Sequence, residues 1–465
     1  MTAADRATLT ARYLDNVRLR GARATDLRGS LTESDRLGSI YGGRYLSRPV
    51  FIGAAERDQL HADLENLRTA LVSLPDRLYG GDLAAFARAA GAAEVQVSAV
   101  LRSRGTPPTR QDRADLYADS SGFRLLEINI GSPAAGIDNA DICRAMLAHP
   151  VLAEFAEAHR LGYVDTMREQ VEGILAECGL SPGAFPMIAV ADWHSSYRTL
   201  GPYLHKLMER WRELGVDAHA CHAGELEARG GRIWLRDRAV DIVFRLFMIE
   251  HLLDSPQAPA LADPILDAAA RGKVQVFTAL DSDLFSSKGA LAMLSDERNR
   301  DVFTAAEQAS FDRLLPWTRT VRPGLVSLED GRRVDLLDYA ADHQHDLVLK
   351  PAMLHSGQGV LPGWHPGTSP RLWRQRLAAA STGGYVIQRR IRPVPELFPD
   401  DFGELVPWDI AWGVFTLASG YGGVFCRAHL ADSGTAVISV ETGASVGCCL
   451  SPVQDPGWSL RPAAS

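Results

Sequence analysis

The chain has 465 residues, 46% hydrophobic and 23% charged, with a formal net charge of −8 at pH 7. That length exceeds one ordinary core, so two or three domains are expected, and the composition excludes a fibrous or extensively disordered chain. The acidic balance argues against nucleic acid or an anionic membrane as the main partner, while leaving room for a local basic pocket around a small anion. The opening MTAADRATLTARYLDN lacks the apolar core of a secretory signal, and no apolar run is long enough to span a bilayer. The six cysteines are sparse and contain no CxxC pair, which disfavours both a disulfide framework and a structural zinc site. A cytoplasmic protein is therefore the expectation.

Residues 1–110 read as helices. Apolar positions 60, 64, 67, 71 and 74 recur at helical spacing, and an Ala-rich stretch covers 83–103, with Gly-Gly at 42–43 and 80–81 and Pro-Pro at 107–108 between elements. No catalytic motif occurs there, so a structural role, a lid or a dimer contact is expected. Residues 114–130 read as strand, turn, strand. A three-residue loop with Gly122 in the left-handed region sets Asp115 opposite Glu127, with Asn129 further along the same face, beside Phe123, Leu125 and Arg113. Residues 141–180 are helical again.

From 185 to 275 the pattern alternates strands (PMIAVADW, VDAHAC, AVDIVFRLFM, KVQVFTAL) with an amphipathic helix over 197–214, which suggests a parallel or mixed sheet. Helices follow over 286–300 and 304–315. Then come the strand DLVLKPAML, the glycine loop HSGQGV, the strand GGYVIQRRI, and further strands to about 450. The tail 451–465 reads as loose.

Asp115, Glu127 and Asn129 are hard oxygen donors suited to magnesium shared with phosphates; a solvated or salt-bridged hairpin face is the alternative. Only four of the 49 basic residues are lysines (Lys206, Lys273, Lys288, Lys350), so a lysine kept against that bias is a candidate for presenting a compact ammonium to phosphate. Lys350 ends an apolar strand before a loop containing Gly357 and Gly359, and Lys288 stands near a helix start; either could also be an ordinary lysine. Gln388 could offer its amide to an adenine edge. Arg427, inside an apolar strand, needs either phosphate or a structural carboxylate.

RADLYADSSGFRLLEIN resembles the ATP-grasp signature, in which an Arg-x-Asp strand turns back into a strand ending Glu-x-Asn. In most ATP-grasp enzymes that signature follows the phosphate-binding lysines; here it precedes them. The inverted order is similar to the circularly permuted, glutathionylspermidine synthetase-like branch. The likeness continues through SSKGALAMLSD, DLVLKPAMLHSGQGV, GGYVIQRRI and GGVFCRAHL…SVETGASVG.

The resemblance implies an α/β (α+β) ATP-grasp fold in circularly permuted order, with an inserted Rossmann-like α/β domain and a helical N-terminal region. Its parts would be 1–110, helical; 111–180, the first core part with the magnesium hairpin; 185–275, the substrate domain; and 276–450, the nucleotide part. It implies Mg2+ on Asp115, Glu127 and Asn129, and ATP on Lys288, Lys350, Gly357, Gly359 and Gln388. Arg113 and Arg427 would hold the acyl-phosphate and leaving charge. The reaction implied is ATP-dependent amide formation between a small carboxylate and an amine, an amino acid or short peptide. Ser132, in the loop Gly131–Asp138, and His194, Ser195, Ser196 and Arg245, near strand ends, are the candidate substrate contacts. A phosphotransferase on the same nucleotide site, or a non-catalytic nucleotide-binding protein, is the competing reading.

Overall fold

The computed structural model describes residues 3–453 apart from 34, 104–108, 132–135, 181, 182, 184 and 356. Helices fill most of the first hundred residues. Ala54–Val72 buries Leu60, Leu64, Leu67 and Leu71, the positions its period selects, and Leu83–Ala90 and Glu94–Arg102 divide the Ala-rich stretch. The short strand Val50–Phe51, which no sequence pattern marks, pairs in parallel with Ser445–Pro452. Ser451 and Pro452 therefore close a strand and do not begin a loose tail; residues 454–465 of that tail lie outside the described residues.

The largest sheet runs in the order Val50–Phe51, Ser445–Pro452, Gly420–Leu430, Leu405–Leu417, Asp112–Asp119, Gly122–Ile130. The hairpin met early in the chain is thus joined, through Leu405–Leu417, to strands from its last part. One face of the hairpin buries Ala114, Leu116, Ala118, Phe123, Leu125, Ile128 and Ile130 in the main core. The other carries Arg113, Asp115, Tyr117, Glu127 and Asn129 toward a cavity.

The hairpin differs from the sequence reading in one instructive way. Asp119 pairs with Gly122, so the loop has two residues, held by the Asp119 carboxylate accepting from the amides of Ser121 and Gly122. The odd residue is instead Leu126, a bulge between the Leu116–Leu125 and Asp115–Glu127 pairs. A bulge flips the alternation, so Phe123 and Leu125 face the core and do not flank the acidic side chains.

The second sheet is wholly parallel, in the order Gln275–Phe277, Ile242–Arg245, Met187–Asp192, Asp217–His222. The amphipathic helix His194–Glu213 connects its last two members and buries Leu204, Leu207, Met208 and Trp211. A small meander over Leu226–Ala239 interrupts the unit. The third sheet is antiparallel, Thr318–Thr320, Tyr385–Arg389, Leu347–Pro351, Leu361–Pro362. Its Leu347, Leu349 and Ile387 pack on Trp317 and Trp373, while the alternate residues Val348, Lys350 and Gln388 face the cavity. No helix of the described residues is long and apolar enough to cross a membrane.

Candidate active site

The cavity, about 340 Å³, lies between the largest sheet, the third sheet and the helix His194–Glu213. Nine nominated residues meet there: Arg113, Asp115, Glu127, Asn129, Lys288, Lys350, Gly357, Gln388 and Arg427. They come from positions 113 to 427 of the chain and from both sheets, so the fold itself assembles the set.

Asp115 is the hub of one half. Its Oδ1 accepts from Arg113 Nε at 3.0 Å and lies 2.8 Å from Arg427 Nη2, and its Oδ2 accepts from Arg113 Nη2 at 3.1 Å. Arg427, the arginine inside an apolar strand, thus has a carboxylate partner in Asp115. Gly413, directly across from Asp115, makes this possible: a Cβ there would stand 3.1 Å from Arg113 Cδ and 3.3 Å from Asp115 Oδ1.

Glu127 is the hub of the other half. Lys288, the first residue of a helix capped by Ser287, places Nζ 3.0 Å from Glu127 Oε2 and donates to the Leu354 carbonyl. Lys350 Nζ donates to Gln388 Oε1 at 2.6 Å and to the Leu126 carbonyl at 3.1 Å, the latter on the bulged residue. Burial opposes ionisation of Glu127, but Lys288, Lys350 and His355 outweigh it and carry its pKa down to about 2. Burial, reinforced by Lys288, lowers Lys350 to about 8.

Three expectations change here. Gln388 spends its carbonyl on Lys350 and its amide on Thr318 Oγ1, at 3.1 Å, so its side chain orients the lysine and offers no free edge to a base. Arg245 is 2% exposed and consumed by Asp283, with which it makes two hydrogen bonds, and by the Thr278, Phe247 and Ala279 carbonyls; it cannot clamp a substrate. Gly359 does not line the cavity; with φ +67 it packs against Pro351, where a Cβ would come within 2.8 Å.

His194, Ser195 and Ser196 also stand apart from the lining, Ser196 donating to Asp192. Ser132 lies outside the described residues. Among the lining residues that sequence reasoning missed are Ile40, Tyr41, Leu200, Tyr203 and Phe425, which gather at one end of the cavity. They share no motif, and only the tertiary fold groups them.

Charge on the cavity wall is lopsided. Arg113, Lys288, Lys350, Arg389, Arg390 and Arg427 face Asp115, Glu127 and Glu441, a cationic excess inside an acidic protein. Among the described residues no three His, Cys, Asp or Glu side chains are grouped to hold a metal. The hairpin set is different in kind: two carboxylates directly opposite each other and one amide oxygen. That set fits magnesium, which takes one or two protein carboxylates and completes its shell with phosphate and water. Glu127 is ionised throughout the physiological range, as a ligand must be.

No family model matches the chain, and no curated protein does. Among solved structures, a glutathione synthetase-like effector from Globodera pallida, in its apo form, superposes with TM-score 0.51 at 12% identity, covering 87% of this chain and 86% of that one. A protein assigned as a gamma-glutamylcysteine synthetase from Methylobacillus flagellatus reaches TM-score 0.42 at 12% identity, over 82% and 88%. A D-cycloserine synthetase reaches 0.27 at 18%, over 53% and 76%. The first likeness establishes the overall fold this chain shares; the other two are too loose to add to it.

Proposed function

We propose that the chain is an ATP-dependent carboxylate–amine ligase of the circularly permuted ATP-grasp kind, forming an amide between small substrates and releasing ADP and phosphate. The observation that carries this reading is the excess of cations around the facing pair Asp115 and Glu127. The order of parts supports the permutation: the hairpin at 112–130 precedes Lys288 and Lys350 in the chain yet shares one cavity with them. In the same reading, the parallel sheet over 187–277 is the inserted Rossmann-like domain between the two portions of the core.

The chemistry starts from a poor electrophile. A carboxylate oxygen attacks the γ-phosphorus of ATP, the bond to the β–γ bridging oxygen breaks, and ADP leaves; the acyl-phosphate then gives up phosphate to an attacking amine. Both steps crowd anionic oxygens, and fixed cations in a buried site stabilise them without reorganising. Lys288 and Lys350 would hold the polyphosphate, with Gln388 keeping Lys350 aimed. Arg113 and Arg427 would turn from Asp115 to the acyl-phosphate oxygens. Magnesium, when held by Asp115, Glu127 and Asn129, supplies charge neutralisation on the phosphates. Closure of the cavity over its substrates would keep out the water that hydrolyses the intermediate.

Equilibrium binding of ADP with magnesium tests the nucleotide site. Saturable binding that weakens at least tenfold in Lys350→Met and Lys288→Met supports the reading; no binding by the wild-type protein overturns it.

A further inference from the structure

The far end of the cavity has its own chemistry. Tyr41 packs against Phe425 and Tyr203, with ring centroids 5.9 and 6.2 Å apart, and Ile40 and Leu200 complete an apolar collar. Leu200, 42% exposed, lines this end of the cavity from the amphipathic helix His194–Glu213. Behind the rings lies Asp138, 1% exposed, whose Oδ1 accepts from the Tyr41 hydroxyl at 2.8 Å. Glu441 lies on the wall of the same cavity. Arg113 is close enough to Tyr203 to act on its phenol, and this is the arginine that the ligase reading assigns to the acyl-phosphate.

An apolar, aromatic collar backed by a buried carboxylate suits a cation with an apolar body. Ring faces attract an ammonium, and Asp138 supplies the countercharge that an apolar pocket otherwise lacks. A carboxylate ligand would find acidic groups here and would be drawn instead to Arg113 and Arg427.

Resting on the ligase reading, we propose that this end of the cavity is the amine subsite, and that it selects a primary amine bearing an apolar or aromatic side group. The amine nitrogen then sits at the Tyr41 hydroxyl, on the side of the collar that faces the acyl carbon it must attack. Before attack the ammonium gives one proton to the Tyr41 oxygen, whose own proton passes to Asp138 Oδ1; no other reactant is needed. Burial pushes the Asp138 carboxyl up to about 7 in the free protein, so it holds a transferred proton near neutrality.

The test is calorimetric titration of the full chain, saturated with ADP and magnesium, with three probes: 2-phenylethylamine, ethylamine and 3-phenylpropanoate. The expected result is that 2-phenylethylamine binds at least tenfold tighter than either of the others, since a hydrophobic pocket discriminates by about that factor or more. Leu200→Ser, a change at the exposed rim, lowers its affinity several-fold while ADP binding stays as in wild type. Equal affinity for ethylamine, preference for the carboxylate, or no amine binding with ADP bound overturns the subsite while leaving the nucleotide reading intact. Failure of ADP itself to bind is the separate failure of the ligase reading.

Discussion

Lys350 separates a functional from a structural account most cleanly. The residue is buried, 7% exposed, and burial lowers its pKa from 10.5 to about 8. At ~1.4 kcal/mol per pKa unit, keeping it charged at pH 7 costs the folded protein about 3 kcal/mol. Lys350→Met removes that cost, together with the hydrogen bonds to Gln388 and Leu126, whose loss takes back about 1–3 kcal/mol. The variant without nucleotide should therefore be at least as stable as wild type at pH 7, by up to about 2 kcal/mol.

The pH dependence has a fixed sign. Between about 8 and 10.5 the unfolded chain holds a proton that the folded chain has released, so wild-type stability rises with pH and the gap closes. ADP with magnesium reverses the order, because at a hundredfold excess over Kd a ligand adds about 3 kcal/mol to the protein that binds it. Urea unfolding followed by tryptophan fluorescence and circular dichroism, at pH 7 and 9.5 with and without ADP, reads all of this. A Met variant less stable than wild type under every condition would show that the lysine is there for the fold, and would refute the reasoning.

Other residues carry independent expectations. Burial raises Asp112 to about 8, so the folded chain keeps a proton that the unfolded chain releases near 3.8; stability is full below pH 4 and is lost as pH rises toward 8. Asp112→Asn should therefore gain on wild type across that window by several kcal/mol, about 5 at most, and urea midpoints at pH 5 and 8 whose gap does not widen would contradict this. Gly413→Ala drives a methyl to within 2.9 Å of the Phe425 carbonyl and against Arg113 and Asp115. It should cost about 1–3 kcal/mol in unfolding experiments and lower turnover by more than tenfold. Asp138→Asn keeps the acceptor for Tyr41 but cannot take a proton; the limb of the kcat pH profile near 7 should disappear, and a profile displaced only in amplitude would assign it a structural role.

Much of the site was legible because it is written in short segments. The hairpin alternation and the shortage of lysines both pointed to groups that the fold brings together. Even so, the pairing of Asp115 with Glu127 was reached through a three-residue loop. The chain reaches the same register with a two-residue loop and a bulge at Leu126. Either device absorbs one odd residue, and local pattern does not say which; the bulge alone decides that Phe123 and Leu125 belong to the core.

Arg245 was misread for a related reason. A strand-end arginine looks available in sequence, yet its partner Asp283 lies 38 residues on, in a different element. The aromatic end was invisible because its members at 40–41, 200–203 and 425 meet only when the helix His194–Glu213 closes over the main sheet.

The most direct test of the central claim is product analysis. The protein would be incubated with ATP, magnesium and pools of carboxylates and amines, with ADP release followed in parallel with mass spectrometry. The account predicts ADP formation that needs both substrates, a product heavier by their sum less one water, and loss of both in Lys350→Met and Glu127→Gln. ADP formed with a single phosphorylated acceptor and no condensation product would contradict it.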